Sequence, residues 1–273
     1  MIPKSYITHW KQYYNWPLDE QVEQDLIICR ILLEIYQDPF LANQLAFRGG
    51  TALQKLYFNQ ATRYSEDLDL VQINAGAIGE TIDQIRNVID PWLGEPSYKR
   101  NEGRFVLYYN FLTENEPISK RKIKVEINTR EHLPVMGYLE KPFIIDSPWI
   151  KGQAAITTYY IEELLGTKLR ALFQRKKGRD LFDLGVALEL LDLDLDQLIK
   201  SFNYYVDSKV TRAQFEQNLY LKLREASFIA EVASLMPVNS QFNKKMNHYA
   251  HNVYEKIITK LAGDSWKGGF SIL

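Results

Sequence analysis

The chain of 273 residues has a single cysteine, Cys29, so no disulfide can form within it. Its four histidines, His9, His132, His248 and His251, lack the spacing of a zinc site. No apolar run reaches the length of a membrane span, and the opening MIPKSYITHWKQYYNW lacks the apolar stretch of a signal peptide, which points to a protein of the cytoplasm with no membrane partner. A formal net charge of −1 announces no polyanionic ligand. The Walker-type G-x-x-x-x-G-K-[ST] pattern occurs nowhere, which argues against a P-loop ATPase.

What is present is a hydrophobic content of 46%, enough for one large domain or two modest ones. Within it, residues 48–70 read RGGTALQKLYFNQATRYSEDLDL. Asp67-Leu68-Asp69-Leu70-Val71 alternates polar and apolar, the period of a strand, so both carboxylates leave the same face with attachment points roughly 7 Å apart. Two anions about 5 Å apart at an effective dielectric near 20 repel by roughly 3 kcal/mol, a cost that a hard divalent cation reverses. Magnesium, or manganese in its place, is the expected metal.

Upstream, Gly49 and Gly50 precede a run of good helix formers, Ala52 to Phe58. A turn without Cβ atoms, opening a helix, exposes backbone N–H groups to a phosphate, and Thr51 adds a hydroxyl. Arg63 and Ser65 place a cation and a hydroxyl beside the acids. Taken singly, the glycine pair reads as plain turn chemistry and the acids as a solvated strand; within one strand-turn-helix-strand unit they favour a nucleoside triphosphate site.

The remaining pattern divides in two. Residues 18–38 and 40–46 have helical character, as do 79–93, while Arg104 to Leu112 and Lys122 to Arg130 read as strands, giving a mixed sheet with helices that ends near residue 150. In the second of these strands Glu126 falls on the polar side; a place beside the aspartates would allow it to be a third acid at the metal, the alternative being an ordinary exposed glutamate. From Thr157 onward the pattern is helical, with an apolar stripe through YYIEELLGTKLRALF that Lys168 interrupts. Gly178 breaks that helix, and Asp180 is placed to cap the next one. Segments 196–206, 212–234 and 240–262 also read as helices. The fold class is therefore α+β, with residues 1–155 forming a lobe built on a mixed sheet flanked by helices and 156–273 a helical bundle.

Two basic runs stand out, Lys120, Arg121, Lys122 and Lys124, then Lys168, Arg170, Arg175, Lys176, Lys177 and Arg179. Each reads as a solvated surface or as a track for an RNA backbone. The aromatic cluster Trp10, Tyr13, Tyr14 and Trp16 is expected to dock the N-terminus onto the core.

GGTAL, RYSEDLDL and EELLGTKLRALFQRKKGRDLFDL together resemble the AbiEii family of nucleotidyltransferase toxins, within the DNA polymerase β-like nucleotidyltransferase superfamily, over residues 45–195. The resemblance implies a nucleotidyltransferase lobe followed by a helical lobe, an NTP substrate, a cognate antitoxin protein and, as in several relatives, an RNA acceptor such as a tRNA 3′ end. By motif it implies that Gly50 and Thr51 touch triphosphate, that Asp67 and Asp69 bind metal, that Lys168 binds nucleotide phosphate and that Asp180 is an essential acid; Gly49 joins the nucleotide-binding residues through the turn chemistry above. NTP-dependent nucleotidylation or phosphorylation of a protein, the chain itself included, and a non-catalytic nucleotide-binding role are the alternatives.

Overall fold

The computed structural model describes residues 2–206, 209–238, 240 and 245–268. The chain divides into two compact units, Met1–Tyr159 and Tyr160–Leu273.

The first unit runs α1 (Lys4–Lys11), α2 (Asp19–Gln37), α3 (Pro39–Gln44), β1 (Leu45–Arg48), α4 (Gly49–Ala52) continuing into a π-helical turn at Leu53–Tyr57, β2 (Asp67–Gln72), α5 (Gly79–Leu93), β3 (Ser97–Asn101), β4 (Arg104–Leu112), β5 (Lys120–Asn128), β6 (Tyr138–Asp146) and β7 (Lys151–Tyr159). The strands form one seven-stranded mixed sheet in the order β3-β4-β5-β2-β1-β7-β6. β2 runs parallel to β5 and antiparallel to β1, and β1 runs parallel to β7.

The period-two pattern gives this sheet two unlike faces. Leu68 and Leu70 of β2, Ile123, Val125 and Ile127 of β5, and Leu107, Tyr109 and Phe111 of β4 are all buried on one face. Helices cover that face. The Tyr109 hydroxyl donates to Asp90 of α5 at 2.9 Å, and Leu33 of α2 lies against Gly152 of β7. Each fully buried Leu, Ile or Val there contributes about 1.5–3 kcal/mol of transfer free energy, which fixes the register of β2 and with it the side on which its aspartates emerge. Asp67, Asp69, Lys124 and Glu126 alternate onto the other, partly exposed face.

Several sequence expectations need correction. The sheet extends to Tyr159, beyond residue 150, because Thr157 and Thr158 complete β7 and do not open a helix. Their β-branched side chains suit a strand, and the Thr158 hydroxyl donates to the Phe47 carbonyl at 2.6 Å. The short helix expected over 40–46 stops at Gln44, since Leu45 and Ala46 already pair with β2. The aromatic N-terminus docks as expected: Trp10 and Trp16 are buried, and Trp10 Nε1 donates to Asp25 at 2.9 Å.

The second unit is helical, with α6 (Ile161–Gln174), α7 (Gly178–Leu190), α8 (Leu195–Tyr205), α9 (Arg212–Leu223), α10 (Ala226–Ala233) and α11 (Met246–Lys256). α6 packs on α7 and α8, and α7 on α11. Caps mark the starts: Asp194 accepts from the amides of Asp196 and Gln197, and Thr211 forms a capping box with Gln214. The single helix expected over 212–234 is two, α10 restarting after Glu225. Of the helix expected over 240–262, residues 241–244 lie outside the described residues and α11 starts at Met246.

Candidate active site

The glycine turn and the acidic strand meet directly. Arg48, the last residue of β1, faces Asp69 across the antiparallel pair. The chain then turns through Gly49 at φ +82°, a left-handed conformation that L side chains rarely adopt. A Cβ at Gly49 would stand 2.3 Å from Asp69 Oδ2, so only glycine lets the carboxylate pack against the turn. α4 begins at that point, and no side chain caps it among the described residues. Its first-turn amides have no acceptor within the helix. The Thr51 hydroxyl is buried and lies against the Asp67 carbonyl, which can only accept, and 2.8 Å from Ser65 Oγ. Thr51 and Ser65 thereby fasten the start of β2 to the turn.

Asp67 and Asp69 leave the same face, and the parallel pairing sets Lys124 beside Asp67 and Glu126 beside Asp69. The condition for Glu126 as a neighbour of the pair is met. Its carboxylate is engaged, with Lys124 Nζ at 2.9 Å and Arg104 Nη1 at 3.7 Å. Lys124 Nζ also stands 3.7 Å from Asp67 Oδ2. Burial works against the charge on Lys124, but Asp67, the hydrogen bond to Glu126, Asp69 and the Glu126 charge outweigh it and hold its pKa above the ordinary lysine value. Arg48 obeys the same logic, since burial opposes its charge while Glu131, 2.5 Å away, Tyr159 and Asp69 keep its pKa raised.

These observations test the fit of a divalent cation. The donors are carboxylate oxygens, the chemistry that magnesium and manganese prefer, and an ammonium group is already drawn to them. Among the described residues no three acid, histidine or cysteine side chains form a closed cage. The residues fit a magnesium ion that keeps waters and takes substrate oxygens, as magnesium commonly does.

Arg63 is buried rather than open beside the acids, and its Nη1 donates to the Tyr64 carbonyl at 2.9 Å. A residue pair that the sequence reading missed supports the turn from below. Lys55, in the π-helical segment, places Nζ 2.7 and 2.8 Å from the two Asp25 oxygens and 4.1 Å from the Tyr14 ring centre. The available signal was a charged residue, Asp25, in the apolar stripe of α2.

Lys168 and Asp180 belong to the second unit and are brought together there. Lys168 Nζ lies 3.2 Å from Asp180 Oδ1 and 2.9 Å from Asp183 Oδ2, with both aspartates fully buried. Arg175 grips Asp180 with two bonds of 2.7 and 2.8 Å. Burial alone would raise the Asp180 pKa; Lys168 and Arg175 overcome it and bring the value to about 2. Asp180 is not the helix cap expected from sequence: α7 starts at Gly178 with Lys177 at the cap position, and Asp180 is its third residue.

A mixed sheet flanked by helices, followed by a helical unit, recurs in solved structures, a nucleotidyltransferase toxin among them. MenT4, a nucleotidyltransferase toxin from Mycobacterium tuberculosis, is similar over 97% of this chain and 92% of its own, with 15% identity and a TM-score of 0.66. JHP933 from Helicobacter pylori is similar over 89% of this chain and 95% of its own, with 18% identity and a TM-score of 0.53. At these identities the likeness establishes the fold. The family model described as nucleotidyl transferase AbiEii toxin, type IV TA system, matches residues 30–252, and the chain belongs to that family. No curated protein matches the sequence. Among the described residues no helix is long and apolar enough to cross a membrane.

Proposed function

We propose that this nucleotidyltransferase toxin transfers an NMP unit from an NTP to a hydroxyl of an RNA acceptor, in the sharpest form of the proposal a tRNA 3′ end. The observation that carries the reading is the placement of Asp69, its carboxylate packed against the Gly49 turn and on the same face as Asp67. That arrangement sets two carboxylates next to uncapped amides, which supports a site for a triphosphate with its cation.

The bond that forms joins the acceptor oxygen to the α-phosphorus; the bond that breaks is the α–β phosphoanhydride, and pyrophosphate leaves. The amides of Gly49, Gly50 and Thr51 hold triphosphate oxygens, while Ser65, bonded to Thr51, keeps the turn in place against β2. Asp67 and Asp69 would hold magnesium, with Glu126 at its margin; when bound, the metal offsets charge on the attacking and departing oxygens. Lys168 is proposed to neutralise charge on the nucleotide phosphates, a role taken from the family motif. Asp180 would position that lysine and not accept a proton, because a carboxylate held at about 2 and bonded through both oxygens is a weak base. In the cell such a toxin is expected to work opposite an antitoxin protein, in the cytoplasm.

The test offers each of the four NTPs, labelled at the α-phosphate, with magnesium to total RNA and total protein. Label in RNA supports the proposal. Label confined to protein would overturn the RNA acceptor in favour of protein nucleotidylation.

A further inference from the structure

We infer that the open face of β3, β4 and β5 binds a single-stranded RNA end and leads it to the acidic pair, an inference that rests on the RNA-acceptor reading above. Strand register arranges the side chains of this face in rows. One row contains Asp67, Lys124, Tyr108 and Ser97, and the next contains Asp69, Glu126, Val106 and Lys99. Lys122 and Lys120 continue the line of Lys124 along β5 on the same face, at intervals of roughly 7 Å. That interval is comparable to the spacing of successive phosphates in an extended strand. Lys122 Nζ sits 5.0 Å from the centre of the partly exposed Tyr108 ring, and the partly buried Asn110 is the partner of Lys122 across the β4–β5 pair.

Charge accounting separates this surface from the other basic run. Lys99, Lys120 and Lys122 are exposed and form no ion pair among the described residues. In the second unit, by contrast, Arg175 is held by Asp180, Lys176 by Glu225 at 2.6 Å, and Lys177 and Arg179 by Glu231 at 3.5 and 3.8 Å. The two runs look alike in sequence, yet among the described residues it is the strand whose exposed lysines have no carboxylate partner. A polyanion releases counterions on meeting such lysines, and an unpaired base can stack on Tyr108. Evenly spaced lysines beside one aromatic ring on a sheet face suit an unpaired RNA end better than an acidic protein surface, which would present carboxylates at no fixed interval.

The experiment measures binding of a short fluorescent single-stranded RNA with a free 3′ hydroxyl to the full chain over a range of salt concentrations. The Lys99→Ala/Lys122→Ala variant is expected to weaken binding and to reduce the slope of log affinity against log salt by about 1.4, two contacts at roughly 0.7 each. Tyr108→Ala should cost about tenfold in affinity and leave that slope unchanged. Lys176→Ala/Lys177→Ala should change neither quantity, and thermal unfolding checks that every variant is folded. The inference is overturned if the wild type does not bind the RNA, if the first variant keeps wild-type affinity and slope, if the loss follows the Lys176 and Lys177 pair, or if the face captures an acidic polypeptide in preference to RNA. Transfer assays separate the two readings. RNA binding through this face without nucleotide transfer to RNA sinks the acceptor reading alone, whereas transfer with an unchanged KM for RNA in Lys99→Ala/Lys122→Ala sinks the surface alone.

Discussion

Gly49 and Asp69 are packed so closely that the Cβ of any other residue at position 49 would stand 2.3 Å from the Asp69 Oδ2 atom, and the φ of +82° at Gly49 would strain that residue as well. Backbone geometry of the turn and aim of the carboxylate are therefore one structural fact.

Gly49→Ala is expected to cost about 1–3 kcal/mol of stability from the backbone conformation alone. By pushing Asp69 aside it should lower nucleotide incorporation about a hundredfold, the scale of a misplacement near 1 Å. Gly76→Ala, at a position with open space and no positive φ, should stay within about 0.5 kcal/mol of wild type. Chemical denaturation and a labelling assay on the same preparations check both.

Asp180 makes acid stability a readout of the second unit. Its folded pKa of about 2 lies below the ordinary carboxylate value of 3.8, so its contribution is fully present above that value and is lost as pH falls through the folded pKa. The contribution is on the order of 2 kcal/mol. Wild type should lose stability between about pH 4 and about pH 2 through this group. Asp180→Asn should be less stable at neutral pH, with Lys168 and Arg175 left facing an amide, and should show a shallower loss over that window. Equal slopes for the two proteins would contradict the assignment.

The buried Asp25–Lys55 pair carries a further expectation. Asp25→Asn leaves the Lys55 ammonium in the interior with its charge unanswered, and breaking a buried pair from one side costs about 3–5 kcal/mol. Urea titration followed by tryptophan fluorescence suits this variant, because Trp10 donates to the same carboxylate. A loss below 1 kcal/mol, of the size found at the surface, would contradict the structure here.

Cys29 is buried, and burial pushes its thiol pKa up to about 12. Since the thiolate is the reactive form, a thiol reagent at about pH 8 should leave the native protein unmodified and label one cysteine per chain after denaturation. Rapid native labelling would contradict the packing around α2.

The parts legible in sequence were those with a strong local signal. The alternation in Asp67-Leu68-Asp69-Leu70 gave β2 and the common face of the two acids, and the Gly49-Gly50 pair before good helix formers gave the turn. A strand before the glycine turn is implied by the strand-turn-helix-strand reading, but its bounds are not legible, because four residues, Leu45–Arg48, are too short to show a period. In β6, Pro142 reads as a breaker, although an edge strand tolerates it. Gly178 looks in sequence like the end of a helix, whereas it begins one. A Cβ there would stand 2.0 Å from the Phe228 carbonyl oxygen, so its reason is a packing partner fifty residues away in sequence that no local pattern reveals. The same holds for the ion pairs. Arg175, Lys176, Lys177 and Arg179 look like a free basic loop until Asp180, Glu225 and Glu231 are placed around them.

The central claim, that Asp67 and Asp69 serve transfer of a nucleotidyl group, is tested most directly by following the two ends of one NTP. With magnesium and the acceptor RNA, NTP labelled at the α-phosphate should label the RNA, while NTP labelled at the γ-phosphate should yield labelled pyrophosphate and leave the RNA unlabelled; Asp69→Ala should abolish both signals. Label from the γ-phosphate in the acceptor, or full α-label incorporation by Asp69→Ala, would contradict the account.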